Sequence, residues 1–334
     1  MISGSSEAVQ SPLLDADLDA LSGVELAALL TSLRGILWRR PSARRQLQGA
    51  GINITPSSFY SSVPSLHEID NAFEYSQGPL KEWLNLGQFD LEALVKRVSA
   101  LDQYACEFDP PLEQEPENLR RYHWRNPVFS FSDATMYYCM LRKLQPDHVV
   151  EIGCGYSTLV ADMALQRNGR GQLTLIEPYP KPFLRELKTV RSLIEQPVQS
   201  IPINDLVKIA ESAEILFIDS THTVKVGSDC LTIYLQLLPQ IRKNILVHAH
   251  DIYLPYGIPK AYAVEKHIYW TEQYLLYAYL LDNPKTRVMY SSQYMFRAAK
   301  DVLDRFMHGR YPSGGASIWF ELDASHGRGE QLER

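Results

Sequence analysis

Two stretches of this sequence set acids and histidines at the ends of short apolar runs. In EILFIDSTH, Asp219 closes one run and His222 follows three residues later. In NILVHAHD, His248, His250 and Asp251 close another. Adjacent parallel strands lie about 5 Å apart, so if both runs are such strands, two carboxylates and up to three imidazoles share one rim. Two kinds of chemistry use such a set. An imidazole titrates near neutral pH, and His222 could serve as a general base. Asp219, His250 and Asp251 could hold a divalent cation, which lowers the pKa of an oxygen brought to it. A third reading needs no chemistry: the aspartates cap loops or helix starts, and the histidines are satisfied core groups. His248 lies deeper on the same strand face as His250, and packing suits it best.

A second motif lies upstream. HVVEI (148–152) runs into Gly153-Cys154-Gly155, a pair of glycines that permits a tight turn and close approach of a ligand to the backbone. Glu177 closes the next apolar run, QLTLIE. It follows Gly155 by about the 20 residues expected of an acid that holds ribose hydroxyls. The third glycine of a dinucleotide fingerprint is missing, because Tyr156 and Ser157 stand in its place. A pyrophosphate needs backbone room at the helix start, so the motif is a poor fit to NAD.

These residues need strands to carry them and helices to space the strands. Apolar runs at 148–152, 172–177, 198–203, 214–219, 244–251, 286–292 and 316–322 read as seven strands. Most lack polar alternation, as strands buried on both sides do. Helical patterns fall between them at about 157–167, 181–194, 227–238 and 271–282. A further helix from Ser132, as cap, to about Leu144 precedes the first strand. The fold class is α/β: a Rossmann-like, mostly parallel seven-stranded sheet with helices on both faces. Upstream, Leu18–Leu37 and about 90–104 carry helical periodicity, and 49–66 and 107–118 read as loops. The expected organisation is a mainly helical N-terminal extension over 1–120, acting as a lid or a homodimer contact. The sheet domain follows over 121–322, and then a disordered tail over 323–334.

VVEIGCGYST, LTLIEPYP, EILFIDSTH and LVHAHD together resemble the class I S-adenosylmethionine-dependent methyltransferases. Within them the chain looks closest to bacterial small-molecule enzymes of natural-product pathways. The resemblance covers about 125–322. It implies S-adenosylmethionine as cofactor, with Glu151, Gly153, Gly155, Tyr156 and Ser157 along its methionine part and Glu177 on its ribose. It implies that the segment holding Phe131, Ser132, Asp133 and Tyr137 closes over the cofactor, that Asp219 borders it, and that Asn204 and Asp205 lie near the adenine. Some metal-dependent O-methyltransferases carry an acid on each of the two reactive strands. There His250 stands where Asn or Glu is usual, which leaves magnesium, a transition metal or no metal open.

The leading expectation is therefore O-methylation of a small-molecule hydroxyl. N-methylation, a nicotinamide-dependent oxidoreductase and a non-catalytic binding protein are the alternatives. Aromatic residues at 253–270, among them Tyr253, Tyr256, Tyr262, Tyr269 and Trp270, either wall the substrate pocket or pack a loop on the sheet. Trp124, Tyr137 and His123 are weaker candidates for the same wall.

Composition limits the partners. The 334 residues carry a net charge of −6 with charges mixed along the chain, so nothing points to nucleic acid. The basic group Arg34, Arg39, Arg40, Arg44 and Arg45 reads as a solvated helix end or an anionic-surface contact. Four scattered cysteines without a CxxC pair fit a reducing cytoplasm. The chain has no signal-peptide pattern and no apolar run of membrane-spanning length.

Overall fold

The computed structural model describes residues 20–55, 57–75 and 89–323. The chain divides into two compact units, Met1–Glu68 and Ile69–Arg334. In the first, helix α1 (Gly23–Trp38) opens on a reciprocal cap. Ser22 Oγ accepts from the Glu25 N–H, and Glu25 accepts from the Ser22 N–H at 2.8 Å. Helix α2 (Pro41–Gly49) follows, starting on a proline that needs no donor there. Of the expected tail over 323–334, all but residue 323 lies outside the described residues, as do residues 1–19.

The second unit is built on seven strands: β1 (His148–Ile152), β2 (Gln172–Ile176), β3 (Val190–Ile194), β4 (Ile215–Ile218), β5 (Ile245–His250), β6 (Thr286–Ser291) and β7 (Ser317–Leu322). Their order is β3-β2-β1-β4-β5-β7-β6, and β7 pairs antiparallel with both of its neighbours. The other pairings are parallel. The order reverses between β1 and β4, and ligands of such sheets sit beyond the strand ends at that point. Alternate residues feed two apolar clusters. Val149, Leu173 and Phe217 enter one, and Val150, Ile152 and Leu216 enter the other. Both faces are therefore buried, which is why these strands read as continuous apolar runs.

The boundary expected at residue 120 falls inside this unit. Helix α3 (Leu91–Ser99) buries Leu94 and Val98 in the same cluster as Val149 and Leu173. Helix α4 (Phe131–Leu144) comes before β1 and α5 (Tyr156–Asn168) after it. Ser130 holds the cap position of α4. Ser132, expected there, sits inside the first turn, and its hydroxyl accepts from the Gly314 N–H at 3.1 Å.

The largest departure is around the third strand. The expected helix 181–194 and strand 198–203 are replaced by a short turn of helix (Pro182–Glu186), β3, and then helix α6 (Ile203–Glu211). Pro182, Pro197 and Pro202 punctuate this stretch and set its boundaries. β3 is an edge strand, only partly buried, and lacks the apolar run that marks its neighbours. Ile203, Leu206, Val207 and Ala210 stand at helical spacing and pack beneath the sheet. Helix α7 (Glu272–Leu280) falls where expected. The short helices α8 (Ser292–Ala298) and α9 (Lys300–Phe306), which pack near α3, were not foreseen. Among the described residues no helix is long and apolar enough to cross a membrane.

Candidate active site

The glycine turn after β1 is held by backbone. Gly153 has φ +80, and a Cβ there would stand 1.9 Å from the Asp219 carbonyl oxygen, so only glycine lets β1 and β4 end side by side. Gly155 differs: its φ of 174 is extended, and nothing lies within 4 Å of where a Cβ would project. The turn is tied to β2 through Glu177, whose carboxylate accepts from the Cys154 N–H at 3.2 Å and the Tyr179 N–H at 2.8 Å. Each oxygen keeps a second lone pair. Ser157 is buried in the first turn of α5, and Tyr156 lies between His123, Phe183 and the Lys181 ammonium, 4.5 Å above its ring.

Glu151 is fully buried under this turn. It accepts from Tyr137 Oη at 2.8 Å and Thr158 Oγ1 at 2.6 Å, and burial pushes its pKa up to about 7. Tyr137, expected in the segment that closes over the cofactor, is fully buried in the core with its hydroxyl on Glu151. Asn204 and Asp205, expected near the adenine, sit exposed in the first turn of α6, where Asp205 pairs with Lys208. The residues that follow the true third strand are Glu195 and Gln196.

Across the switch point the side chains take over. His222 Nε2 stands 3.2 Å from Asp219 Oδ1 and 3.6 Å from Asp251 Oδ2, and its Nδ1 is 2.7 Å from Glu272 Oε2. Asp219, His222 and Asp251 each bring one ligand-capable atom within 4.8 Å of the others. His250, expected beside them, turns Nδ1 to Asp219 Oδ1 at 3.5 Å and to Asp251 Oδ2 at 3.8 Å. His222 and Asp251 both have left-handed backbone, φ 57 and 55. Such conformations cost energy in non-glycine residues and persist where the surroundings over-determine them.

The loop from Asp219 to Val224 is pinned from three sides. Asp229 accepts from the Thr221 N–H and hydroxyl, Glu272 accepts from Ser220 Oγ, and the first N–H groups of α7 donate to the His222 carbonyl. Glu272 itself is buried and also accepts from Tyr234 Oη at 2.6 Å. It was not foreseen: an acid in the first turn of a helix reads from sequence as a partner of the helix dipole, with no sign that it faces a histidine 50 residues earlier.

The charges shape the proton affinities. Burial disfavours the His222 imidazolium, but hydrogen bonds to Asp219 and Glu272 and their charges outweigh it and push the pKa up to about 10. Burial likewise opposes ionisation of Asp219. The charge of His250, then the hydrogen bond from His222 and its charge, nevertheless hold the Asp219 carboxyl well below the usual range. Burial raises Asp251. His248 is a packed group: its ring stacks on Trp319 at 4.1 Å, Nε2 meets Ser317 Oγ, and burial lowers its pKa.

Of the aromatic residues, Trp270 lies 4.6 Å from the His222 ring, with Tyr262 edge-on to it and Tyr253 edge-on to Tyr262. Tyr256 packs under Arg297, Tyr269 sits by His267, and Trp124 stacks on Tyr311. Of these, Trp270 touches the cluster, and Tyr262 and Tyr253 follow it in an edge-on chain.

Residues 150–252 match a family model described as a methyltransferase domain. A protein of Archaeoglobus fulgidus is 31% identical over 177 residues, 51% of this chain and 78% of its own length. Among solved structures, the chain is similar to the Podospora anserina methyltransferase PaMTH1 bound to S-adenosylhomocysteine. Identity is 16%, over 68% of this chain and 92% of that one, with a TM-score of 0.34. It is also similar to an O-methyltransferase of Bacillus cereus in complex with S-adenosylhomocysteine. There identity is 10%, over 72% and 96%, with a TM-score of 0.35.

Proposed function

We propose that this chain, which belongs to the class I S-adenosylmethionine-dependent methyltransferases, methylates a hydroxyl oxygen of a small molecule, with His222 as general base and a divalent cation held by Asp219, His250 and Asp251. One observation carries the reading. Buried Glu272 fixes His222 through Nδ1, so that Nε2 faces the two aspartates at the ends of β4 and β5. A third group that orients a histidine in this way is the usual partner of a general base.

S-adenosylmethionine supplies an electrophilic methyl group, and the protein supplies binding, orientation and a route for the proton. The open side of Gly155 and the N-terminus of α5 fit the methionine part of the cofactor, and the spare lone pairs of Glu177 fit its ribose hydroxyls. Oxygen is favoured over nitrogen as acceptor because a hydroxyl must shed its proton as it attacks, which is the task proposed for His222. A cation on Asp219, His250 and Asp251 would lower the pKa of that hydroxyl. His222 keeps its own proton in the free protein because carboxylates surround it. A cation on these carboxylates would weaken that hold, so that Nε2 could accept while Nδ1–H stays on Glu272. Trp270, Tyr262 and Tyr253 would wall the acceptor beside His222.

The test follows a labelled methyl group from S-adenosylmethionine onto a panel of hydroxylated small molecules. The label should appear as an ether. His222→Ala should lower turnover by about 10²–10⁴-fold with cofactor affinity nearly unchanged. Chelation should lower it too, with recovery on adding back a divalent cation. Full turnover by His222→Ala would remove the base. Full turnover under EDTA, with no metal by elemental analysis, would remove the cation.

A further inference from the structure

His250 ends β5 and is 4% exposed. Its Nε2 is directed at Asp133 Oδ2, 3.5 Å away, and its Nδ1 faces Asp219 and Asp251 without a hydrogen bond. A buried ring nitrogen with no hydrogen bond costs free energy unless something else meets it. The residue behind the ring is firmly held. Asp133 accepts from the Ala316 N–H at 2.7 Å and from the Ser292 hydroxyl. Gly315, at φ +100, lies so close that a Cβ would stand 2.4 Å from the Asp133 carboxylate. Glycine at 315 and the α4, β7 and α8 segments thus combine to seat one carboxylate behind one histidine.

The spacing in front of the ring fits coordination. Donors that share an ion at about 2.1 Å stand roughly 3.0–4.2 Å apart. His250 Nδ1 lies 3.5 Å from Asp219 Oδ1 and 3.8 Å from Asp251 Oδ2. A ligating histidine that gives its other ring nitrogen to a carboxylate is the usual means of fixing its tautomer and raising its basicity. Magnesium prefers oxygen donors and retains its waters, whereas manganese, iron, cobalt and zinc accept imidazole.

We infer that the Asp133–His250 arm makes this centre select a nitrogen-accepting divalent cation over magnesium, with Asp133 as the positioning residue. The inference rests on the reading that Asp219 and Asp251 hold a cation, and adds which class of cation and why.

The experiment titrates Co²⁺ into the full-length protein, followed by visible absorption, with Mg²⁺ as competitor. Wild type should take up Co²⁺ in a site that a hundredfold excess of Mg²⁺ does not empty. His250→Asn, which offers oxygen, should lose Co²⁺ affinity by about 10–100-fold and retain Mg²⁺ binding. Asp133→Asn should lose Co²⁺ affinity by a similar factor, with circular dichroism and melting showing whether it has folded. If Mg²⁺ displaces Co²⁺ at equal concentration, or if His250→Asn binds Co²⁺ like wild type, the selectivity is overturned. If neither ion binds wild type, the cation reading itself fails, and this inference with it.

Discussion

The two sides of the switch point are built by different means. On the β1–β2 side the surfaces are main chain: a glycine turn, a helix start, and one acid tied to two backbone N–H groups. On the β4–β5 side they are side chains, and each histidine is backed by a carboxylate from a distant element, Glu272 in α7 and Asp133 in α4. Backbone surfaces are local in sequence, so a few adjacent residues specify them. Side-chain surfaces are assembled late, by tertiary packing, and every member depends on others far along the chain.

The sharpest way to break this comparison is at the two glycines. Gly153→Ala would drive a methyl group into the Asp219 carbonyl and force φ +80 on an alanine. The cost should be roughly 3 kcal/mol or more, because backbone must move on both strands. Since Asp219 moves with it, the damage should cross to the β4 side. Gly155→Ala meets nothing within 4 Å and has extended backbone, so melting should barely change while S-adenosylmethionine affinity falls. Thermal melts and cofactor titration of the two variants measure this. Equal stability losses would remove the distinction between a structural and a ligand-facing glycine.

A second prediction uses pH. Burial raises the folded pKa of Glu151 to about 7 from an ordinary 4.5. For an acid raised in this way, the folded state holds the proton more tightly than the unfolded chain. Its penalty is absent below about pH 4.5, grows as pH rises, and is complete above about 7. A shift of this size corresponds to about 3 kcal/mol. Glu151→Gln should therefore flatten the fall in stability between pH 4.5 and 7, even though the amide loses one of the hydrogen bonds from Tyr137 and Thr158. Urea melts across that range check it. A wild-type curve that rises through the same window would mean that Glu151 is ionised and satisfied.

How much was legible follows the same division. β1, β2, β4 and β5 are buried on both faces, so their apolar runs announce them, and the residues at their ends follow. β3 sits at the sheet edge, where one side of the ladder is unpaired and apolar content is low. Its neighbours Pro197 and Pro202 carried the better signal, and the 203–210 periodicity carried the helix. Asp219, His222, His250 and Asp251 could be gathered from strand ends alone. Glu272 could not, because its role depends on how the chain after β5 returns to the rim. The position of Asp133 was legible as part of a segment before β1, but its partner was not, since strands β1 to β4 all lie between Asp133 and His250 in the chain.

The smallest expected effect asks whether the main-chain side also uses a side chain on its ligand. Glu177 has one task in hand and one proposed: it satisfies the Cys154 and Tyr179 N–H groups, and under the proposed function its remaining lone pairs take the ribose hydroxyls. Glu177→Ala removes both. A hydrogen bond to a charged group is worth about 1.5–3 kcal/mol, so cofactor affinity should fall by roughly 10–100-fold. That number alone does not distinguish a lost contact from a disturbed turn. A cofactor analogue without the ribose hydroxyls does. If Glu177 touches the ribose, wild type and Glu177→Ala should bind the analogue with similar affinity, because the contact is already absent. If the variant still binds the analogue 10-fold more weakly than wild type, the loss comes from the turn. The acid would then be one more support for the backbone surface, and the β1–β2 side would be main chain throughout.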